Sequence, residues 1–445
     1  MKTINRREFL KGTISAATVT ALSHKKIIGS NGKIIFGIMG VGGRGVDLIR
    51  NLVKRNDIMI KYICDADTRQ YDRPAEIVME EHGYKPKFEQ DLRNMLADPE
   101  VDAIVNATSH RWHALGTIMA CKAGKDVYVE KPLSLSIWDG RKIVEAARKY
   151  KRIVQVGIQN RSAPYLEKAV EYVRSGKLGD IYLVRVFNMM LHSPVKKAEE
   201  APIPEGLDYD LWCGPSPMLS YRPGRWFQGL WDFWCGGIPD DLTHQIDIAR
   251  YLIGKTYPDT VSQSGGVFHL KDGREQPDTQ FATYEFGNLT LLSESALWTP
   301  YMHKIPVSIR DSDQFPDWPF TSTKIEICGT EAFMYFGRHG GGWQVYAAKK
   351  RTQENELIAS EFGRVATDNN IENFISCIRS REKPKADVEE AHLSTSLCHL
   401  ANISYRVGNR KLKFDGKTET FLDDPEANKY LKVNYRKPWI IPNEV

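Results

Sequence analysis

Apolar runs of strand length alternate with amphipathic segments over the first third of the chain. Lys33 to Met39 is apolar after its first residue, and the following segment, Val46 to Lys54, sets Val46, Ile49, Leu52 and Val53 on one helical face. Ile58 to Asp65, Val101 to Ala107 and Val127 to Val129 repeat the strand pattern, with a helix predicted from Ala114 to Ala123. Continuous apolar strands separated by helices imply right-handed crossovers into a parallel sheet covered on both faces. From Ile153 the pattern changes. Tyr182 to Phe187, Thr279 to Phe286, Leu289 to Glu294 and Lys324 to Cys328 alternate or run apolar at strand length, separated by turns such as Gly287-Asn288. That predicts a meander rather than crossovers. Helices are expected at Pro164 to Ser175, His244 to Leu252 and Asn370 to Arg379.

Composition narrows the class. The 445 residues suit two or three domains, and 42% hydrophobic with 26% charged residues excludes a disordered chain. No apolar run approaches the roughly 20 residues of a spanning helix. The start of the chain differs. Asn5-Arg6-Arg7-Glu8-Phe9-Leu10-Lys11 is a twin-arginine pattern, followed by an uncharged run from Gly12 to Ser23 that ends in a cleavage-like Ala21-Leu22-Ser23. Residues 1–23 therefore read as a Tat-type signal peptide, and the mature protein as periplasmic. Lys2, Arg6, Arg7 and Lys11 against Glu8 give that segment +3, so the formal +5 of the chain falls to +2 without it. Such a balance offers no argument for nucleic acid or an anionic membrane as partner. The seven cysteines show no CxxC spacing and read as buried free thiols.

The first chemistry is a glycine loop in its required setting, strand before and helix after: Gly40-Val41-Gly42-Gly43-Arg44-Gly45. Gly40 permits the tight turn, Gly42 a close approach of backbone to a pyrophosphate, and Gly45 close packing of helix on strand. Asp65 follows the third glycine by 20 residues, where an acid accepts from the adenosine ribose and favours NAD over NADP. Asp67 could share that role, and Arg69 keeps NADP open. The strand after Lys125 stops at Glu130-Lys131-Pro132. Pro132 holds Lys131 in an extended turn at the sheet edge that carries the glycine loop. Residues 31–154 are thus expected to form a dinucleotide-binding Rossmann domain. Residues 155–445 are expected to form a second domain, whose C-terminal segment could pack back on the first.

Asp102 to Leu133, the GxGGRG loop, Gly157 to Arg161 and Ser175 to Gly179 together resemble the glucose–fructose oxidoreductase and inositol dehydrogenase (Gfo/Idh/MocA) family. The resemblance implies an α/β fold: a Rossmann parallel sheet, then an α/β domain on a large, open, mainly antiparallel sheet through which members often pair. It also implies NAD(P)-dependent chemistry on sugars and cyclitols. Candidate cofactor contacts are Gly40, Gly42, Gly43, Arg44, Gly45, Asp65, Thr108, His113, Glu130 and Lys131. In Gly236 to Asp247, Asp240 and His244 are four apart, on one face of a helix, where a carboxylate can orient an imidazole as general base. Asp240, His244 and Asp247 match the family's catalytic signature, and Lys131 its lysine. A helix N-cap and a divalent-metal site compete for the same acids. His110, Arg111 and Trp112 border the nicotinamide or are structural.

Carbohydrate is the expected substrate. Trp212, Trp226, Trp231 and Trp234 fall in a long loop beside Arg222 and Arg225, and indole faces stack on sugar rings. Trp226, Trp231, Arg161 and Asp247 are the candidate substrate contacts. Arg338 to Trp343 reads as a hairpin turn, with a role at a pocket as the alternative. The expected activity is oxidation of a sugar or glycoside hydroxyl: Lys131 steadies the alkoxide, His244 takes the proton and Asp240 orients the ring. A tightly held, recycled nicotinamide follows from export. A glycoside hydrolase working through transient C3 oxidation is the alternative, and a non-catalytic sugar-binding protein a third. No metal is expected.

Overall fold

The computed structural model describes residues 32–195, 198–348 and 354–445; the signal peptide expected at 1–23 lies outside them. The first sheet has six parallel strands: β1 (Ile34–Met39), β2 (Ile58–Cys64), β3 (Lys87–Glu89), β4 (Ala103–Asn106), β5 (Asp126–Val129) and β6 (Val154–Val156). Their spatial order is β3-β2-β1-β4-β5-β6. The order reverses between β1 and β4, and ligands bind at such a reversal, past the carboxyl ends of the strands. Helix α1 (Gly43–Leu52) springs from β1, and α2 (His110–Lys122) from β4. Every residue of β4 and β5 is buried, as continuous apolar runs require. β3, three residues with no apolar run, carries no readable signal.

The second sheet has ten strands: β7 (Ile181–Met189), β8 (Thr260–Gly266), β9 (Thr279–Phe286), β10 (Leu289–Ala296), β11 (Lys324–Gly329), β12 (Ala332–Gly337), β13 (Trp343–Ala347), β14 (Leu357–Glu361), β15 (Leu412–Asp415) and β16 (Thr420–Phe421). Two antiparallel ribbons, β8-β9-β10 and β11 to β14, flank β7. β7 pairs β11 antiparallel but β10 parallel, so the expected simple meander is corrected to a mixed, mostly antiparallel sheet. Alternation tells which face a residue takes and not which strand lies beside it.

Helices α3 (Thr243–Ile253), α4 (Thr367–Ser380) and α5 (Val388–Arg406) knit the halves together. Ile246 and Ala249 of α3 and Leu397 and Leu400 of α5 share one core with Val184, Tyr284 and Met334 of the large sheet. Phe374 and Ile375 of α4 instead pack in the core under β1, with Phe374 edge-on to Phe36 at 6.3 Å. Trp439 and Ile441 close the other face of the first sheet. No helix among the described residues is long and apolar enough to cross a membrane. All seven cysteines are free, six of them buried.

Candidate active site at the edge of the nucleotide-binding sheet

The glycine loop is built by close approach. At Gly40 φ is +78°, and a Cβ there would lie 2.6 Å from Thr108 Cα; at Gly45 a Cβ would lie 2.1 Å from the Gly40 carbonyl oxygen. Gly42 and Gly43, by contrast, face open space. They border a cavity of about 450 Å³ that also has Arg44, Asp65, Thr108, Trp212 and Trp234 on its walls. The first amides of α1 point at it with the positive end of the helix dipole. Asp65 accepts from Val41 N at 2.9 Å and from Asp67 N at 3.0 Å, which leaves each oxygen a lone pair for a ribose hydroxyl. Arg69 is forked onto Asp67, with both contacts at 2.7 Å. These residues fit a dinucleotide: bare backbone where the pyrophosphate belongs, an acid at the ribose. Gly42→Ala is expected to leave the thermal midpoint unchanged, because its methyl enters empty space. NAD affinity should fall by about tenfold or more, roughly 1.4 kcal/mol, as measured by titration.

Glu130 and Lys131 stand past that cavity and do not line it. The buried Glu130 accepts from Arg44 Nε at 2.7 Å and packs beneath Gly157, where a Cβ would meet its carboxyl at 2.7 Å. It steadies Arg44. His113, expected at the cofactor, has Nδ1 2.6 Å from the Pro132 carbonyl and Nε2 3.0 Å from that of Thr108. Its buried ring ties the ends of β4 and β5 together and so positions the Lys131 loop.

Lys131 Nζ donates to Asp240 Oδ1 at 2.9 Å and to the Asp240 carbonyl. Burial would lower the amine's pKa, but the Asp240 charge outweighs it and holds Lys131 above its usual range. Burial would likewise raise Asp240, yet Lys131 and His110 hold it well below the usual carboxylate range. His110 Nε2 lies 3.5 Å from Asp240 Oδ1, and its ring stacks on Trp234 with centroids 3.4 Å apart. Burial pushes His110 down to about 4, so it is neutral at pH 7.

The expected Asp240–His244 contact is corrected. Ile238–Leu242 is wound as a π-helical turn ahead of α3, and no hydrogen bond joins the two side chains. The wide turn carries Asp240 toward the first domain and Lys131. π-Bulges recur at functional sites for this kind of displacement. His244 is 2% exposed and its Nδ1 has no hydrogen-bond partner. Burial, then the Arg338 and Lys131 charges, drive its pKa well below the usual value. The site therefore holds a charged amine, a carboxylate committed to it, and a neutral imidazole with an orphaned nitrogen.

Four substrate candidates move elsewhere. Asp247 receives Arg161 Nε at 2.6 Å and Nη2 at 2.8 Å, plus Ser394 Oγ at 2.6 Å, and both charged side chains are almost wholly enclosed. That fork anchors α3 to the first residues after β6. Trp226 is buried against Phe233 with its Nε1 on the Arg222 carbonyl. Trp231 packs beside Tyr405 and Arg406. Sequence periodicity could not separate these from Trp212 and Trp234, which do line the cavity. Asp240 and Asp247 are both spent on cations. Among the described residues no group of three or more His, Cys, Asp or Glu is placed to hold a metal. His192 and Lys304 were not singled out by sequence, which marks Asp241 only as a candidate helix N-cap and Arg338 as part of a hairpin turn. The one available signal was their clustering in loops that flank the strand ends.

A second cleft, of about 1160 Å³, opens beside the first and shares Arg225 and Gln228 with it. Asp241 lies on its wall, 3.5 Å from His192 Nε2. Fold and site together define a dinucleotide-binding Rossmann domain joined to an α/β partner domain. The chain belongs to the Gfo/Idh/MocA family. Residues 34–158 match the family model described as an oxidoreductase family, NAD-binding Rossmann fold, and residues 186–267 and 353–441 match that of its C-terminal alpha/beta domain. The chain is 25% identical over 380 residues to the scyllo-inositol 2-dehydrogenase (NAD(+)) of Bacillus subtilis, covering 83% of this chain and 94% of that protein. It spans only 58%, 59% and 54% of three other curated relatives, one of them the myo-inositol 2-dehydrogenase of Thermotoga maritima. A glycosyl hydrolase family 109 protein of Shewanella putrefaciens is 27% identical over 174 residues, 34% of this chain and 38% of its own. The WlbA dehydrogenase of Chromobacterium violaceum, solved with NADH and UDP-GlcNAcA, shares the fold at TM-score 0.64 and 20% identity, over 87% of this chain and 97% of that one.

Proposed function

We propose that this protein oxidises a hydroxyl of a sugar or glycoside with a tightly held NAD. One observation carries the reading: Lys131 of the first domain, held charged by Asp240, acts on His244 of the second, a neutral imidazole with an unpartnered Nδ1 that also feels Arg44 on the wall of the nucleotide cavity. When bound, NAD supplies the hydride acceptor. His244, uncharged and with a free ring nitrogen, takes the hydroxyl proton. Lys131 donates to the developing alkoxide, and Asp240 keeps that amine charged and aimed. Asp65, with Arg69 occupied by Asp67, supports NAD over NADP.

The depressed His244 pKa has a definite sign. The acidic limb of kcat belongs below pH 6.5, so the rate should stay level from pH 7 to pH 6, where an ordinary histidine would be losing the base form. A limb centred at or above pH 7 would show that another group is the base.

The test of the whole reading uses purified protein without added NAD and a panel of glycosides, read by mass spectrometry. Loss of two hydrogens with the glycosidic bond intact is the expected result. Free aglycone with unoxidised sugar selects the hydrolase reading, which the family 109 relative favours; no change in any sugar overturns both. We also propose Tat export from Arg6 and Arg7; Arg6→Lys with Arg7→Lys should strand the protein inside cells. A homo-oligomer through the large sheet is supported by exposed Phe281 and half-buried Leu292, Phe333 and Tyr335 on the face away from the helices. Light scattering would detect it.

A further inference from the structure

The larger cleft carries more positive charge than its protein neighbours neutralise. Arg225 and Lys304 lie on its wall, and Arg338, at the β12–β13 turn, is near enough to Lys304 for the two charges to repel. Among the described residues no carboxylate lies within ion-pair distance of any of the three, or of Arg310, whose Nε is spent on the Ile305 carbonyl at 2.6 Å. Three enclosed arginines elsewhere meet a carboxylate, whereas Arg111, stacked on Trp212, has none. Arg161 meets Asp247, Arg250 meets Glu390, and Arg274 meets Asp272. Burial drags Arg338 down to about 10 and lowers Lys304, with the Asp241 charge opposing both. Asp241 is itself shared with His192, and the Lys131–Asp240 pair is neutral overall. Arg338 has the neutral His339 ring as its side-chain hydrogen-bond partner, which leaves its charge uncompensated, and such a cation is costly unless an anion completes it.

The turn is built to hold that cation in place. Gly340, Gly341 and Gly342 have φ of +82°, +73° and +62°, a left-handed run in which side chains are strained. A Cβ at Gly342 would lie 1.8 Å from the Glu361 carbonyl oxygen. Asn160 Nδ2 fastens the Arg338 carbonyl at 2.8 Å. Arg338 lines neither cavity, but it is close enough to Asp241 and Lys304 of the larger cleft to act on both charges.

We propose that the substrate is an acidic sugar, bearing a carboxylate or sulfate away from the reacting hydroxyl, and that Lys304 and Arg338 receive this group. A guanidinium presents a planar fork of donors suited to either anion. The inference rests on the sugar-oxidising function proposed above and adds the class of sugar.

The test compares matched methyl glycosides on the NAD-loaded full chain: glucoside, glucuronide and glucoside 6-sulfate, with the corresponding galacto series. Binding is read by calorimetry and oxidation by mass spectrometry. At least one acidic member should bind tenfold or more tighter than its neutral twin. The advantage should shrink as salt rises and collapse in both Lys304→Gln and Arg338→Gln; Lys304 is exposed, so its variant should fold. The better of the glucuronide and sulfate arms names the anion. Neutral twins binding as well or better in every pair would overturn the inference alone. So would a preference that survives both substitutions, or NAD affinity falling in step with sugar affinity. Acidic sugars that bind selectively yet are never oxidised would sink the proposed reaction and leave the acidic-sugar site standing. No binding of any sugar would end both.

Discussion

Lys131→Met is expected to lower kcat/KM for the oxidised sugar by about 10³-fold, roughly 4 kcal/mol of transition-state stabilisation, while NAD still binds. The amine is a charged donor beside His244, and Asp240 2.9 Å away keeps it protonated. Methionine keeps the length and apolar stem but removes the donor. Asp240 then loses its principal counterion, so its pKa should climb and a new pH dependence should appear on the acid side. The glycine loop and Asp65 lie on other elements and do not depend on Lys131. Steady-state kinetics beside NAD titration separates the two effects. A wild-type rate, or loss of NAD binding at equal severity, would remove Lys131 from the reaction.

The second large effect is on stability. Asp247→Ala should cost about 3–5 kcal/mol of folding free energy, because it strands the Arg161 guanidinium without a partner. The Arg161 side chain is 2% exposed and that of Asp247 fully enclosed, with Ser394 and Glu390 completing the cluster. The same cluster joins α3, α5 and the segment after β6, three pieces of chain that no short-range contact brings together. Chemical denaturation would show the loss. Sugar KM measured at low temperature on the folded fraction should stay within about threefold of wild type, since neither group reaches the cleft. A stable variant with a collapsed KM would return Asp247 to the substrate.

Some of this was written plainly along the chain. Glycines at 40, 42 and 45 between an apolar strand and an amphipathic helix leave one workable geometry, and Asp65 falls at the end of the next strand. Helices at 164–174, 243–253 and 367–380 followed their apolar periodicity to within a few residues. His113 and Trp226 show where such reading stops. A ring nitrogen facing a carbonyl and one facing a ligand have the same letter in the sequence. Trp212 and Trp234 line the cavity while Trp226 and Trp231 do not, and nothing in their spacing says so.

What local patterning determined was everything set by near neighbours: the nucleotide loop, the strand–helix alternation, the faces of strands and helices, and the stop at Lys131-Pro132. Those follow from backbone sterics and the burial of apolar faces, which act over a few residues. Only the tertiary structure decided that Asp240 serves Lys131 and not His244, that Asp247 belongs to Arg161, and that β7 lies parallel to β10. Each is a choice among partners more than 80 residues apart in sequence. Such choices are made by packing and by which charge is left to neutralise once the core has closed.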